Sequence, residues 1–293
     1  MNMNNNYIYD LNNKGYCIIP NILNPNEIFT AKELFYDWYN SVPNIDYLHN
    51  KLNPHNIFKF HEVAHQEFAW YLRTKPQIIK TFAELYNTDT NNLVTSFDGS
   101  CYYKPNTKLS DGLWTHTDIS PKLSQEIKCY QGFISLTDNI DNSLQVYEES
   151  HNMHENYFRS KNQESEKKNW LKIDKDYLDN IEDKRKILNV PAGSLVLWDS
   201  RTFHQNIIKN KNEERIVQYI CMMPKDNNKN TPSMQKKRLK YLQDRRTTSH
   251  WCYPIKVNGL QGRTYGNNDL VINYDELSKP NLDKYMDVIK TLI

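Results

Sequence analysis

Across 293 residues, 37 Lys and Arg nearly balance 35 Asp and Glu, and a net charge of +2 speaks against a dedicated nucleic-acid binder. Hydrophobic residues at 38%, aromatics at 12% and only 8 Gly exclude disordered and fibrous classes and fit a packed globular protein. Five scattered cysteines (Cys17, Cys101, Cys129, Cys221, Cys252) without a CxxC pair suggest neither a disulfide framework nor a structural zinc site, and no apolar run reaches signal-peptide or membrane-spanning length, so a soluble cytoplasmic chain is expected.

In chain order, GYCIIP (residues 15–20) predicts a short strand. Asn24-Pro25-Asn26-Glu27 then announces a helix, with Asn as N-cap, Pro at N1 and Glu at N3, and Ile28, Ala31, Leu34, Phe35 and Trp38 give it one apolar stripe. Two further helices are predicted over Glu62 to Arg73 and Pro76 to Tyr86. From Leu93 the texture changes to β: LVTSFDGSCYYKP, CYQGFISLTDN from Cys129, SLQVYE from Ser143, GSLVLW from Gly193, FHQNII from Phe203 and RIVQYICMM from Arg215. Short strands between Gly, Pro, Asn and Asp turns suggest a sandwich or jelly roll rather than a βαβ sheet. The charged stretch 159–186 is expected to be a solvated helical or loop insertion, and Ser233 to Arg246 a basic helix, solvated or facing an anionic partner. The expected architecture is α+β or mainly β: one domain over 1–293, with a helical layer (1–92), a jelly-roll (cupin-like, double-stranded β-helix) core (93–223) and a basic helix with tail (224–293).

Two metal motifs compete. His61-Glu62-Val63-Ala64-His65 matches H-E-x-x-H, which on a helix places two zinc ligands and a general base on one face, and Glu84 stands where a third ligand would. By composition it arises about 0.01 times by chance. His116-Thr117-Asp118 is an H-x-D motif expected about 0.6 times by chance, but it is followed by His204 and, 11 residues later, by Arg215 at the start of an apolar strand. Two His and one carboxylate on antiparallel strands form a facial triad that leaves metal positions open for a chelating cosubstrate and O₂. The fork of Arg215 suits a carboxylate bidentately. His151, His154 and His250 are weaker candidates for the distal ligand, Trp114 and Trp198 are expected to pack near the site, and Tyr103 and Gln131 are candidates to point into it.

With these residues the chain resembles the phytanoyl-CoA dioxygenase-like Fe(II)/2-oxoglutarate oxygenases. The resemblance runs from GYCIIPNILNPNEI through WTHTD and GFISLTDNIDNSLQVYEESH to VPAGSLVLWDSRTFHQN and the Arg215 strand. It implies iron held by His116, Asp118 and His204, 2-oxoglutarate held by Arg215, and Ser135 as a hydroxyl near the same cosubstrate carboxylate. It implies hydroxylation of a substrate with release of succinate and CO₂, using O₂, with ascorbate as a candidate auxiliary reductant. A carboxylate in the triad favours hydroxylation over halogenation. The chain departs from the family where Glu148-Glu149-Ser150-His151 stands for a usual Pro-Gly-Ser-His turn and Asn142-Ser143 for a Gly-containing segment. A small-molecule substrate is expected first and a protein or other macromolecule second, with no membrane partner. The rival readings are a zinc metallohydrolase using His61 and His65, and a non-catalytic jelly-roll binding protein.

Overall fold

The structure is a computed structural model that describes residues 6–108, 112–225 and 228–293. Its strands are β1 (Tyr16–Ile19), β2 (Ile57–Phe58), β3 (Leu93–Thr95), β4 (Ser100–Tyr103), β5 (His116–Thr117), β6 (Tyr130–Ser135), β7 (Leu144–Tyr147), β8 (Leu171–Lys172), β9 (Arg185–Ile187), β10 (Leu195–Asp199), β11 (His204–Asn206), β12 (Arg215–Ile220) and β13 (Met222–Pro224). Strand pairing is antiparallel in every pair whose register is described, and the longer helices span Pro25–Ser41, Pro76–Leu85, Ser150–Ser160 and Pro232–Gln243, so the class is α+β. None of the described helices is long and apolar enough to cross a membrane. The chain forms two compact units, each made of two segments: Met1–Pro20 with Tyr103–Arg215, and Asn21–Tyr102 with Ile216–Ile293.

In the first unit, β10 lies between β1 and β6, with Leu197 opposite both Cys17 and Gly132. A five-stranded sheet has the order β8-β5-β11-β7-β9. Its edge strands β8 and β9 lie within and at the end of the charged stretch 159–186, so this stretch, largely exposed and holding the helix Lys175–Asn180 as expected of a solvated insertion, also completes the sheet. Strands this short carry no readable alternation, which is why the sequence suggested only a helical or loop insertion. Between the two edges, Leu178 packs with Tyr147, Tyr157, Phe158, Ile173 and Phe203 in one buried cluster. Each such apolar side chain taken out of water is worth about 1.5–3 kcal/mol.

One turn in this unit holds a departure from the family pattern. Glu149, where the resemblance expects Gly, has φ 62, the left-handed conformation that Gly adopts without penalty. A non-glycine residue therefore holds a left-handed φ here, tied through its carboxylate to Lys184 at 2.5 Å. Ser150 beside it accepts a hydrogen bond from Phe203 N at 2.8 Å and donates to Tyr147 O at 2.6 Å. The turn thus fixes the residue that precedes His204.

In the second unit, the helix Pro25–Ser41 starts with the predicted capping box: Glu27 N donates to Asn24 Oδ1 and Asn24 N to Glu27 Oε2, both at 3.0 Å. Its buried face carries Ala31, Phe35, Trp38 and Tyr39, and the Phe35 ring meets Phe68 and Tyr102 edge-on at 5.2 Å each. The helix predicted over Glu62 to Arg73 is shorter and starts later, at Glu67–Arg73. His61 and Glu62 take left-handed φ of 60 and 55, and Val63–His65 is a single 3-10 turn. Tertiary partners outweigh helix propensity here: the Glu62 carboxylate pairs with Arg245 at 2.6 Å and Lys279 at 3.6 Å, and the His65 ring bonds Arg246 O at 3.0 Å. The basic helix is observed over Pro232–Gln243, and Arg238 is buried, donating to Asn230 Oδ1 at 3.1 Å and Cys252 O at 2.7 Å. One of its cations therefore serves the interior rather than a solvated face.

Candidate metal centre

The pairing of β5 with β11 sets His204 directly opposite His116, and residues paired across an antiparallel ladder project to the same face. Their ring centroids lie 4.4 Å apart. Asp118 follows two residues after His116, its N–H donating to Ser200 O at 3.0 Å while Thr117 Oγ1 donates to the same carbonyl at 2.8 Å. This holds the end of β5 so that Asp118 Oδ2 stands 3.5 Å from His116 Nε2 and 3.4 Å from His204 Nε2. Among the described residues, these three form the one group of three or more His, Cys, Asp or Glu whose ligand atoms all lie within 4.8 Å of one another.

The donor set fits a divalent cation. Each histidine directs its other nitrogen at a backbone carbonyl, His116 Nδ1 to Trp114 O at 3.1 Å and His204 Nδ1 to Thr202 O at 2.9 Å. Those bonds place the proton on Nδ1 and leave Nε2 with its lone pair toward Asp118, the arrangement a metal ligand needs. Three ligands about 2.1 Å from one ion at right angles lie about 3 Å apart, close to the separations found. Burial, opposed by the Asp118 charge and assisted by the neighbouring His204, holds the His116 imidazole below the usual histidine range, which keeps it in the neutral, ligating form.

The surrounding residues aim this set. Gln131 Nε2 donates to Asp118 Oδ2 at 3.1 Å and to Ser200 Oγ at 3.2 Å, so this candidate does point into the site. Gln205 Oε1 accepts from Thr115 Oγ1 at 2.7 Å and Trp114 N at 3.0 Å, fixing the approach to β5. Trp114 stacks on His116 with centroids 5.0 Å apart, and Trp198 lies 5.3 Å from the His204 ring, as their predicted packing role requires. Ser200, Gln205 and Trp170, whose ring lies 5.3 Å from His116, were not singled out from the sequence. Ser200 and Gln205 flank His204 closely enough to have been considered, whereas Trp170 carries no such signal.

Arg215 is fully buried, its guanidinium 5.3 Å from the Tyr103 ring centroid and 5.2 Å from that of Phe133. Ser135 Oγ donates to Thr137 O at 2.7 Å and accepts from Asn139 Nδ2 at 2.9 Å. The weaker distal candidates are elsewhere engaged: His151 Nε2 with Asn12 O at 2.9 Å and His154 Nε2 with Ile119 O at 3.1 Å. In the second unit, His61 and His65 are fully buried and join no metal-holding group among the described residues, and Glu84 is half-exposed beside Lys80 at 3.6 Å.

No family model matches the chain. Over 179 residues it is 33% identical to Ava biosynthesis cluster protein O of Aspergillus versicolor, an overlap that covers 57% of this chain and 57% of that protein, so the chain spans little more than half of that relative. Among solved structures it is similar to the non-haem monooxygenase ThoJ in its nickel complex, with a TM-score of 0.51, 13% identity and coverage of 75% of this chain and 78% of that one. It is also similar to HygX from Streptomyces hygroscopicus with nickel, 2-oxoglutarate and hygromycin B bound, with a TM-score of 0.53, 11% identity and coverage of 76% and 88%. The fold is thus shared with non-haem oxygenases, in keeping with the family that the sequence resembles.

Proposed function

We propose that this protein is an Fe(II)- and 2-oxoglutarate-dependent oxygenase with a jelly-roll core, the whole of 1–293 acting as one enzyme that hydroxylates a small molecule. The observation that carries this reading is the arrangement along one face of β6. Gln131, Phe133 and Ser135 alternate onto that face; Gln131 holds the Asp118 carboxylate and Phe133 lies under the Arg215 guanidinium. Two residues along a strand advance about 6.6 Å. The carboxylate and the guanidinium thus contact neighbouring positions on one strand face, an arrangement suited to a short dicarboxylate chelated at one end and gripped at the other.

In this reading His116, Asp118 and His204 would hold Fe(II), and 2-oxoglutarate bound there would supply two electrons for O₂ activation as it is oxidised to succinate and CO₂. Arg215 would bind the far carboxylate, its charge unscreened by water because it is buried between two rings. Ser135 would add a hydroxyl contact by turning its proton from Thr137 O. Gln131 keeps the carboxylate oriented, while Trp114 and Trp198 exclude water from the imidazoles and fix their planes.

The direct test is 2-oxoglutarate consumption and succinate release with Fe(II) under air. Wild type is expected to turn over, and Asp118→Ala to lose turnover with at least tenfold weaker metal binding. Metal-independent behaviour shared by both proteins would sink the assignment.

A further inference from the structure

The charged excursion that closes the five-stranded sheet also brings two side chains to the triad that the mechanism above leaves unused. In the β5–β8 ladder Lys172 is the partner of His116, so both project to the face that carries His204. Trp170, two residues earlier, follows the same alternation, and its ring sits 5.3 Å from the His116 ring at 30°. Yet Trp170 is 52% exposed, unlike Trp198 beside His204, which is 2% exposed. An indole left half in water next to a buried catalytic pair contributes little to the core and offers a flat apolar face. Lys172 is exposed and forms no ion pair among the described residues, so its charge is available on the same face.

Resting on the oxygenase reading, we propose that Trp170 and Lys172 form the substrate-recognition edge of the site and select a small molecule bearing both an apolar ring and an anionic group. The ring lies against the indole and the anion meets the ammonium, so the carbon to be attacked is held on the His116 side. A residue acting on substrate in this way changes affinity for substrate without changing affinity for metal or 2-oxoglutarate.

The test uses the full chain loaded with Mn(II) and saturating 2-oxoglutarate under argon, which fills Arg215. Phenylacetate, phenethylamine and acetate are titrated by calorimetry, so that ring with anion, ring with cation and anion alone are compared. Phenylacetate is expected to bind about tenfold more tightly than either control, and Trp170→Ala and Lys172→Gln each to lose most of that advantage. Equal affinities for the three probes, no phenylacetate binding at millimolar concentration, or affinity unmoved in both variants would overturn the inference. Mn(II) and 2-oxoglutarate affinities report folding and the underlying reading separately: if wild type binds neither, the oxygenase assignment fails, whereas failure of the recognition edge leaves both intact.

Discussion

Acid should unfold the second unit through three histidines that have no room to be charged. Burial, the largest influence on each, pushes His49 down to about 4, His61 to about 4 and His65 to about 3 from an ordinary value of 6.5. In the unfolded chain these groups take up protons as pH falls through 6.5, while the native state binds none until pH nears 4. The unfolded state therefore holds more protons between those limits, and stability must fall as pH falls. At pH 5 each histidine costs about 2 kcal/mol relative to pH 8, together about 6 kcal/mol, against a total stability of the order of 5–15 kcal/mol. Urea unfolding followed by tryptophan fluorescence at pH 8, 7, 6 and 5 measures the slope. His61 isolates one contribution, because its two buried ring nitrogens have no hydrogen-bond partner among the described residues. His61→Leu should remove about 2 kcal/mol of the loss between pH 8 and 5, whatever it does to stability at pH 8. Equal stability at pH 8 and 5, or an unchanged slope in the variant, would refute the reasoning.

Three other outcomes are expected. Gln131→Leu, which strips the Asp118 carboxylate of its donor, should weaken Mn(II) binding by about 10–100-fold in a calorimetric titration while leaving the fold intact by circular dichroism. Arg215→Lys should raise the KM for 2-oxoglutarate by at least about tenfold, since a point charge replaces a planar fork held between two rings, and it should leave metal affinity nearly unchanged. Glu149→Gly should stabilise the protein by about 1 kcal/mol in thermal unfolding, because Gly accepts the left-handed φ at this turn and the ion pair lost with Lys184 has its carboxylate in water.

His116, Asp118 and His204 could be picked out together because a facial triad needs fixed residue types in a fixed order, and the structure brings these three side chains to one place. What the sequence could not carry is register: nothing in the string states that His204 pairs with His116 rather than with a neighbour, and a slip of one residue would turn either ring away. The capping box at Asn24 and Glu27 was readable because it is a local hydrogen-bond pattern complete within four residues. HEVAH, the rarer string, is the weaker metal motif for the opposite reason. Its spacing has meaning only on a helix, and the backbone at His61 and Glu62 is set by Arg245, Lys279 and Tyr274, all distant in sequence. Trp170 was hidden because the two-residue strand that positions it has no periodicity, and its polar surroundings suggested solvent.

Both outer strands of the triad sheet come from one excursion of the chain, with the apolar anchor Leu178 between them. The sheet is therefore cinched by a single strap instead of being bordered by two independent edges. Peeling β8 from β5 would draw on the same short segment that keeps β9 on β7, so a disturbance that starts at the rim beside Trp170 is passed to the far border of the sheet. Variation in this segment would act on the rim beside Trp170 and on how firmly the face carrying His116, Asp118 and His204 is held, so the two properties are coupled.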